Sequence, residues 1–587
     1  MKWISISELL NRTRKLTERF PLQSVLVVAA AAIAYVLAGR QFTQTSLISM
    51  LIFCGLSMVL SLSVLLFAEA GHYSRWKSLL LQLAALLLCF FITLWLDPWI
   101  AQAHAYILVF LALAFHLSVS FAAFVQKGAI EHFWHFNKTL FLRLLTVALY
   151  SFVIVMGLYL AVFAVKELFS VSIKDTVYMR IFLLVAIGFN TLFFLSGIPD
   201  VNTHHAREYY YPKGLKIFTQ YVLIPLMIIY LGILLLYEGK ILVEWQLPNG
   251  YVSTLILAYT VFGILSLLLI YPIKDTEGNR WIRWFSQWFY IMMVPLIVLL
   301  SLAVYKRVSD YGITIERYAL IALAVWLSAI TLYFLFSRAK SIKIIPLSLA
   351  VVALIAALGP LSASEVSKRS QQKRLKVYMH DNSKKAKQET TSIIKYLVRM
   401  NGLTALQPFT PTDLAAVQDS IIAMPVKHKY SRHYEVRDKL TDRGFAILNI
   451  ESTDKDFMIP ATIYGGNKND VVKISGYDYV VPLEYYLDEQ KFKIDSLDIS
   501  VKKNQQYCIV RAGNTAALQF PVDSLLQEVR TKYDNSLATD DIVHKGELSI
   551  IRSNQFMDAK LIVTQFTGYD GNASSDSYRA YLLLRKK

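Results

Sequence analysis

Few side chains in this chain have types and spacings that could do chemistry, and each set has a plain alternative. Glu131-His132 followed by His135 puts two imidazoles at i, i+3 on one helical face, an arrangement that could hold a divalent metal. The HExxH order is absent and no third ligand is identifiable, so the spacing points instead to imidazoles at a membrane interface beside Trp134. His204 and His205 are adjacent in the longest inside loop, GIPDVNTHHAREYYYPKG, where a loop surface is expected. His116 and Arg143 lie within apolar runs, where an ionisable group costs several kcal/mol to bury and a functional role is the default reading. Arg143 can reach the interface on its long stem, His116 can stay neutral, and no Asp or Glu joins them as ion-coupled transport would want.

A last set lies at the ends of apolar runs: Tyr311, Gly312, Thr314, Glu316, Arg317 and Tyr318, with Gly359 and Pro360 further on. Gly312 permits a tight turn, Glu316 and Arg317 can pair, and Pro360 stops a helix. Capping and punctuation explain these residues better than a ligand pocket does, and they are expected to lock the last three spans to the C-terminal domain. A multi-pass glycosyltransferase would share the outline of the chain, but it would carry acidic residues in its first outer loop. Here that loop reads AGRQFTQTS and the next turn offers only Asp97. No Gly-rich phosphate loop and no nucleophile elbow is present. The residues point away from an enzyme, and no cofactor or metal is expected.

The elements that must position these residues are membrane helices. Of 587 residues 55% are hydrophobic and 17% charged, against roughly 45–50% and 25% in a soluble domain. Apolar runs long enough to cross the bilayer fall at about 22–39, 46–67, 78–96, 104–125, 139–164, 177–197, 217–237, 251–272, 284–304, 317–336 and 343–360. They predict about eleven helical spans, because continuous apolar runs exclude the alternation of a barrel. Trp95, Trp99, Trp134, Tyr209 to Tyr211, Trp245, Trp281, Trp284 and Trp288 mark span ends. Pro225 and Pro295, with Gly188, Gly232 and Gly263, are read as kinks that serve packing.

The formal net charge of +18 reads as topology and not as nucleic-acid binding. Counted alternately from an inside N-terminus, Lys and Arg divide about 18 inside to 7 outside. With an odd number of spans the C-terminal part lies outside, although Lys368, Arg369, Lys373, Arg374 and Lys376 pull the other way. Cys54 and Cys89 sit in apolar runs and Cys508 stands alone beyond them, so no disulfide framework is expected.

The chain therefore divides into a basic cytoplasmic N-terminus (1–21), with the apolar run after it a first anchor, a polytopic α-helical membrane domain (22–360), a basic helical stalk (361–400) and a soluble β-rich α+β domain (401–587). In the last of these, PTDLAAVQDSIIAM predicts a helix capped by Thr412 or Asp413. Strands are predicted at GFAILNI, FMIPATIYGG, YDYVVPLEYYL, KFKIDSLDISV, QYCIVRA, GELSIIR, AKLIVTQF and YRAYLLLRK, with a helix at 521–532 and a hairpin closing on TGYDGNASSDS.

At YPKGLKIFTQYVLIPLMIIYLGILLLYEGKILVEWQLPNGYVS, at RVSDYGITIERY and at IKIIPLSLAVVALIAALGPLSASEVSKRSQQKRL, the chain resembles the bacterial membrane family known as domain of unknown function 4153. The resemblance is close over 190–375, and the style is similar to members from Bacteroidota. It implies a multi-pass inner-membrane protein and supplies no activity and no catalytic residues. The reading that results is a non-enzymatic protein of the bacterial inner membrane, presenting a periplasmic domain for interaction, sensing or envelope assembly. The alternative is a transporter or lipid-handling enzyme using an outer-leaflet groove. Membrane lipids and envelope proteins are the expected partner classes, nucleic acid is not, and nothing in the chain speaks to oligomeric state.

Overall fold

The structure is a computed structural model. It describes residues 6–40, 45–125, 130–201, 211–244, 251–273, 280–337, 340–381, 383–424, 432–450, 462–465, 474–483, 489–494, 497–503, 507–512, 517–522, 524–525, 542–544, 548–567 and 577–587. The chain forms two compact units, Met1–Asp381 with Ser392–Ile450, and Asn382–Thr391 with Glu451–Lys587.

Among the described residues every regular element of the first unit is a helix, as its apolar runs require where no water can satisfy the backbone. It opens with α1 (Ile6–Arg19), α2 (Pro21–Gly39), α3 (Thr45–Ala70), α4 (Arg75–Trp95) and α5 (Gln102–Phe121). After these come α6 (Ile130–Phe169), α7 (Thr176–Leu183), a π turn (Leu184–Phe189) and α8 (Asn190–Leu195). Next are α9 (Lys213–Ile217), a second π turn (Phe218–Leu223), α10 (Ile224–Glu244), α11 (Tyr251–Ile270), α12 (Arg280–Tyr311), α13 (Ile315–Phe336) and α14 (Ile344–Ala357). Among the described residues, nine helices are long and apolar enough to cross a membrane. The other two expected spans, 251–272 and 343–360, are α11 and α14, whose described apolar stretches are shorter, Leu255–Ile270 and Ile344–Ala357. At 14 residues, α14 is only about 21 Å long against about 30 Å of hydrocarbon.

Two apolar cores hold the bundle. One gathers α2 to α5 with the end of α8 and Ala353 and Ala357 of α14. The other gathers α10 to α13 around Ile256, Phe289, Leu296 and Trp326. Short α14 packs most extensively on α5, and its buried Ala350, Ala353, Ala356 and Ala357 form a small-residue face of the kind that lets helix backbones approach in lipid. A polar link crosses the first core: Gln23 of α2 donates to Ser61 Oγ of α3 at 3.1 Å and to Gln82 Oε1 of α4 at 3.0 Å.

Several expectations change on contact with the fold. Trp134 is not an interface anchor: it is buried, donates to the Leu268 carbonyl at 2.7 Å and stacks on Tyr211. Trp281, Trp284 and Trp288 are exposed, as interface residues should be. Gly188 lies in one π turn, and Pro225 comes just after the other, where its ring displaces the carbonyl of Tyr221 from regular helical bonding. Pro295 stays inside an unbroken α12. All three cysteines are free and buried.

Beyond the spans the chain stays helical, with α15 (Ala363–Tyr378), α16 (Lys384–Asn401), a 3-10 turn (Leu403–Phe409), α17 (Leu414–Ala423) and α18 (Arg432–Leu448). The stretch expected as a stalk is thus α15 and α16, and both bury a face; Ile393, Ile394, Leu397 and Val398 form a core with Leu406, Leu414 and Leu440. Asp413 is the cap of α17, accepting from Ala415 N at 3.0 Å and Ala416 N at 3.3 Å. GFAILNI is not a strand but mostly the end of α18, where Phe445 packs into that core.

The second unit carries two sheets around one core. Among the described residues the strands are β1 (Thr462–Gly465), β2 (Tyr479–Leu483), β3 (Glu489–Ile494), β4 (Leu497–Lys503), β5 (Tyr507–Ala512), β6 (Leu518–Pro521), β7 (Ile542–His544), β8 (Leu548–Ser553), β9 (Met557–Thr567) and β10 (Ser577–Lys586). One sheet runs β2-β10-β9-β1-β7 with β8 also on β9; the other is the meander β3-β4-β5-β6. Only β1 and β7 pair in parallel among the described pairs. KFKIDSLDISV is two strands and not one, with Ile494 opposite Leu497; its Asp-Ser pair is a turn signal inside an apparently continuous run. The closing hairpin forms from β9 and β10, while its connection and most of 521–532 lie outside the described residues.

Candidate functional site

The sequence motif at 311–318 sits where α12 ends and α13 begins, and a helix end leaves its last carbonyls without intrahelical donors. Gly312 adopts φ 69° and donates to the Val308 carbonyl at 2.8 Å, which turns the chain out of α12. Thr314 then caps α13, its hydroxyl accepting from Arg317 N at 3.4 Å. Side chains of α15 meet the exposed carbonyls. Arg374 donates to Tyr311 O at 2.5 Å and to Asp310 O at 3.1 Å. Gln371 Nε2 lies 3.1 Å from both Tyr311 O and Ile313 O. Ser367 donates to Ile313 O at 3.2 Å, and Ser370 Oγ accepts from Ile313 N at 2.9 Å. Arg317 adds bonds to Tyr311 O at 3.1 Å and Gly312 O at 2.9 Å, so two guanidinium groups stand at the negative end of α12.

The 311–318 and 359–360 halves of the motif come together. Gly359 at φ 83° and Pro360 end α14, and the Tyr318 hydroxyl donates to Leu361 O at 2.6 Å. Ser362 then caps α15 through Glu365 N at 3.4 Å. Tyr396 of α16 completes the clasp: its hydroxyl accepts from Ile315 N at 2.9 Å and lies 2.7 Å from Ser367 Oγ. Burial pushes the Tyr396 phenol above its ordinary value, so it stays protonated as this double role needs.

Glu316 and Arg317 do not pair with each other as expected. Adjacent helical side chains point about 100° apart, and Glu316 instead accepts from the Tyr106 hydroxyl of α5 at 2.5 Å. Tyr106, Ser367, Ser370, Gln371 and Tyr396 were missed by the sequence reading. The one available signal was the polar run Ser367, Ser370, Gln371, Arg374, which recurs at helical spacing on one face of α15.

The other sequence candidates are scattered. His116 has Nδ1 2.7 Å from the Ala112 carbonyl, and with Ser120, Asn190 and Thr191 it lines an apolar cleft of about 290 Å³. Arg143 is half-buried and bonds Phe193 O and Ser196 Oγ at the end of α8, with its guanidinium 4.0 Å over the Phe193 ring. His132 and His135 lie in the first turns of α6, and among the described residues no group of three His, Cys, Asp or Glu could hold a metal. His204, His205, Tyr209, Tyr210, Trp245 and the Leu-Pro-Asn-Gly sequence lie outside the described residues.

The fold defines a multi-pass α-helical membrane protein that carries a β-rich unit after its helices. The chain belongs to the family described as Domain of unknown function (DUF4153), which matches residues 25–399. That match reaches from α2 into α16, so the whole clasp lies inside it and the strands lie beyond it. Over 185 residues the chain is also 27% identical to an uncharacterised protein of Pasteurella multocida (strain Pm70), spanning 31% of this chain and 30% of that relative's length. No solved structure matches.

Proposed function

We propose that this is a non-enzymatic protein of the bacterial inner membrane that presents its C-terminal β-rich unit to envelope partners for interaction, sensing or assembly, with the N-terminus in the cytoplasm and the β-rich unit in the periplasm. The observation that carries this reading is the commitment of the clasp: Ser367, Ser370, Gln371 and Arg374 are spent on main-chain groups of 310–313. Polar groups so engaged fix a helix instead of serving a substrate, and they make α15 a rigid continuation of the bundle. The excess of Lys and Arg on one set of loops supports the orientation. Reporter fusions after Ser364 and at the C-terminus test it. Activity of a periplasm-active reporter at both points is the expected result, and activity of a cytoplasm-active reporter would redirect the reading to cytoplasmic partners.

A second reading, transport or lipid handling, draws on the His116 cleft beside the π turn that precedes Asn190, since π turns recur at functional sites. Alanine replacement of Glu316, Arg317 and His116 separates the two. Loss of protein on changing Glu316 or Arg317 supports the clasp, whereas a functional defect with normal folding in the His116 variant favours the cleft.

A further inference from the structure

At the opposite end of α12 from the clasp, Arg283, Ser286, Gln287 and Tyr290 recur at i, i+3, i+4 and i+7 and so share one face of the helix. That face lines a cavity of about 420 Å³, within the range of about 300–1,000 Å³ usual for small-molecule sites. Lys340 joins it from the segment after α13, and Phe334, Leu335, Ile342 and Ile345 supply apolar wall. The Tyr290 ring stacks on Phe334 with centroids 5.0 Å apart, which gives the cavity a flat aromatic floor. Ser341 N donates to the Tyr333 hydroxyl at 2.9 Å, which fixes the chain beside Lys340. Exposed Trp281, Trp284 and Trp288 stand on the same turns of α12 as Arg283 and Gln287, and such indoles settle at the level of the lipid headgroups.

We infer that this cavity is a binding site for an anionic phospholipid, with the headgroup phosphate between Arg283 and Lys340 and the start of an acyl chain against Phe334, Leu335 and Ile345. Two cations and an apolar wall that line one cavity match a molecule that is anionic at one end and hydrocarbon at the other. The indole belt places the cavity where such molecules lie. Basic pockets between membrane helices hold acidic headgroups on this principle, each cation adding to the affinity.

The test uses the full-length chain in a neutral maltoside detergent, with its melting temperature followed as phosphatidylglycerol, phosphatidylcholine, glycerol 3-phosphate or inorganic phosphate is added. Phosphatidylglycerol should raise the melting temperature at concentrations where phosphatidylcholine and the soluble phosphates do nothing. Arg283→Gln with Lys340→Gln should weaken the apparent affinity about 10–30-fold, the loss expected of two headgroup cations. Gln287→Trp keeps both charges and fills the cavity, and it should weaken binding as well. Lys166→Gln with Lys174→Gln removes the same charge from exposed positions elsewhere and should leave the response intact. An equal loss in that control, or an unchanged response in both cavity variants, would overturn the site as unspecific surface attraction. An equal response to glycerol 3-phosphate or inorganic phosphate would overturn the lipid as its occupant.

Discussion

Gly312 is the most constrained residue of the clasp. Its φ of 69° disfavours any L side chain, and a Cβ there would stand 2.5 Å from Arg374 Cδ and 3.0 Å from Gln371 Nε2. Gly359 shares the backbone constraint at φ 83°, but a Cβ there meets nothing within 4 Å. Gly312→Ala should therefore cost about 1–3 kcal/mol, and Gly359→Ala about 1 kcal/mol, the backbone part alone. Thermal unfolding in detergent compares them, and equal losses would mean that the approach of α15 contributes nothing at Gly312. Both glycines were legible in the sequence because glycine after a helix is a local signal. The Tyr106–Glu316 bond was not, since the partners stand 210 positions apart and no spacing rule links them.

At the scale of elements, α15 shows why the clasp was half legible. A polar stripe normally faces water, so a run rich in Ser, Gln, Lys and Arg after the last apolar segment reads as a solvated stalk. Here the acceptors are main-chain carbonyls at the end of α12, and Ser367 and Gln371 are buried on them. Gln371→Ala strips a donor from both Tyr311 O and Ile313 O and should cost about 1–3 kcal/mol, whereas the exposed Lys373→Ala on the same helix should change stability by less than about 0.5 kcal/mol. Similar losses in the two would return α15 to the solvent-facing reading. In α18 the constraint is electrostatic. Burial raises the carboxyls of Asp438 and Asp442 above the usual aspartate range, Asp438 also raises Asp442, and Lys395 and Arg399 of α16, with Arg437, pull back. An acid that holds its proton more tightly folded than unfolded makes the fold less stable as pH rises from the ordinary aspartate value through the raised one. Asp442→Asn removes one such group, so its melting temperature at pH 7 should exceed that of the parent and change less between pH 4 and 7. A steeper dependence in the variant would reverse the assignment.

For the whole molecule, the membrane class was legible because continuous apolar runs have few solutions in lipid, and the paired strands β9 and β10 were legible because long alternating runs near a turn signal have few partners. The boundary between the parts was not. Apolar positions in α16 to α18 are spaced for a helical core that no membrane demands, and a seven-residue fragment such as GFAILNI satisfies strand and helix patterns alike. The compact division at Ile450 has a thermodynamic consequence. The helical cores around Leu111 and Leu296 and the sheet core around Val510 and Phe520 share no residues, and units with separate cores unfold as separate cooperative steps. Guanidinium added to the detergent-solubilised chain should therefore give two transitions. Phe520→Ala, which empties a fully buried position between β5 and β8, should lower the transition of the β-rich unit by about 3–5 kcal/mol and leave the helical one in place. Hydrogen exchange on β9 and β10 assigns the transition to its unit. A single transition that shifts as a whole in the variant would mean that the two units fold as one, and the β-rich unit would then be a part of the helical platform instead of the cargo it presents.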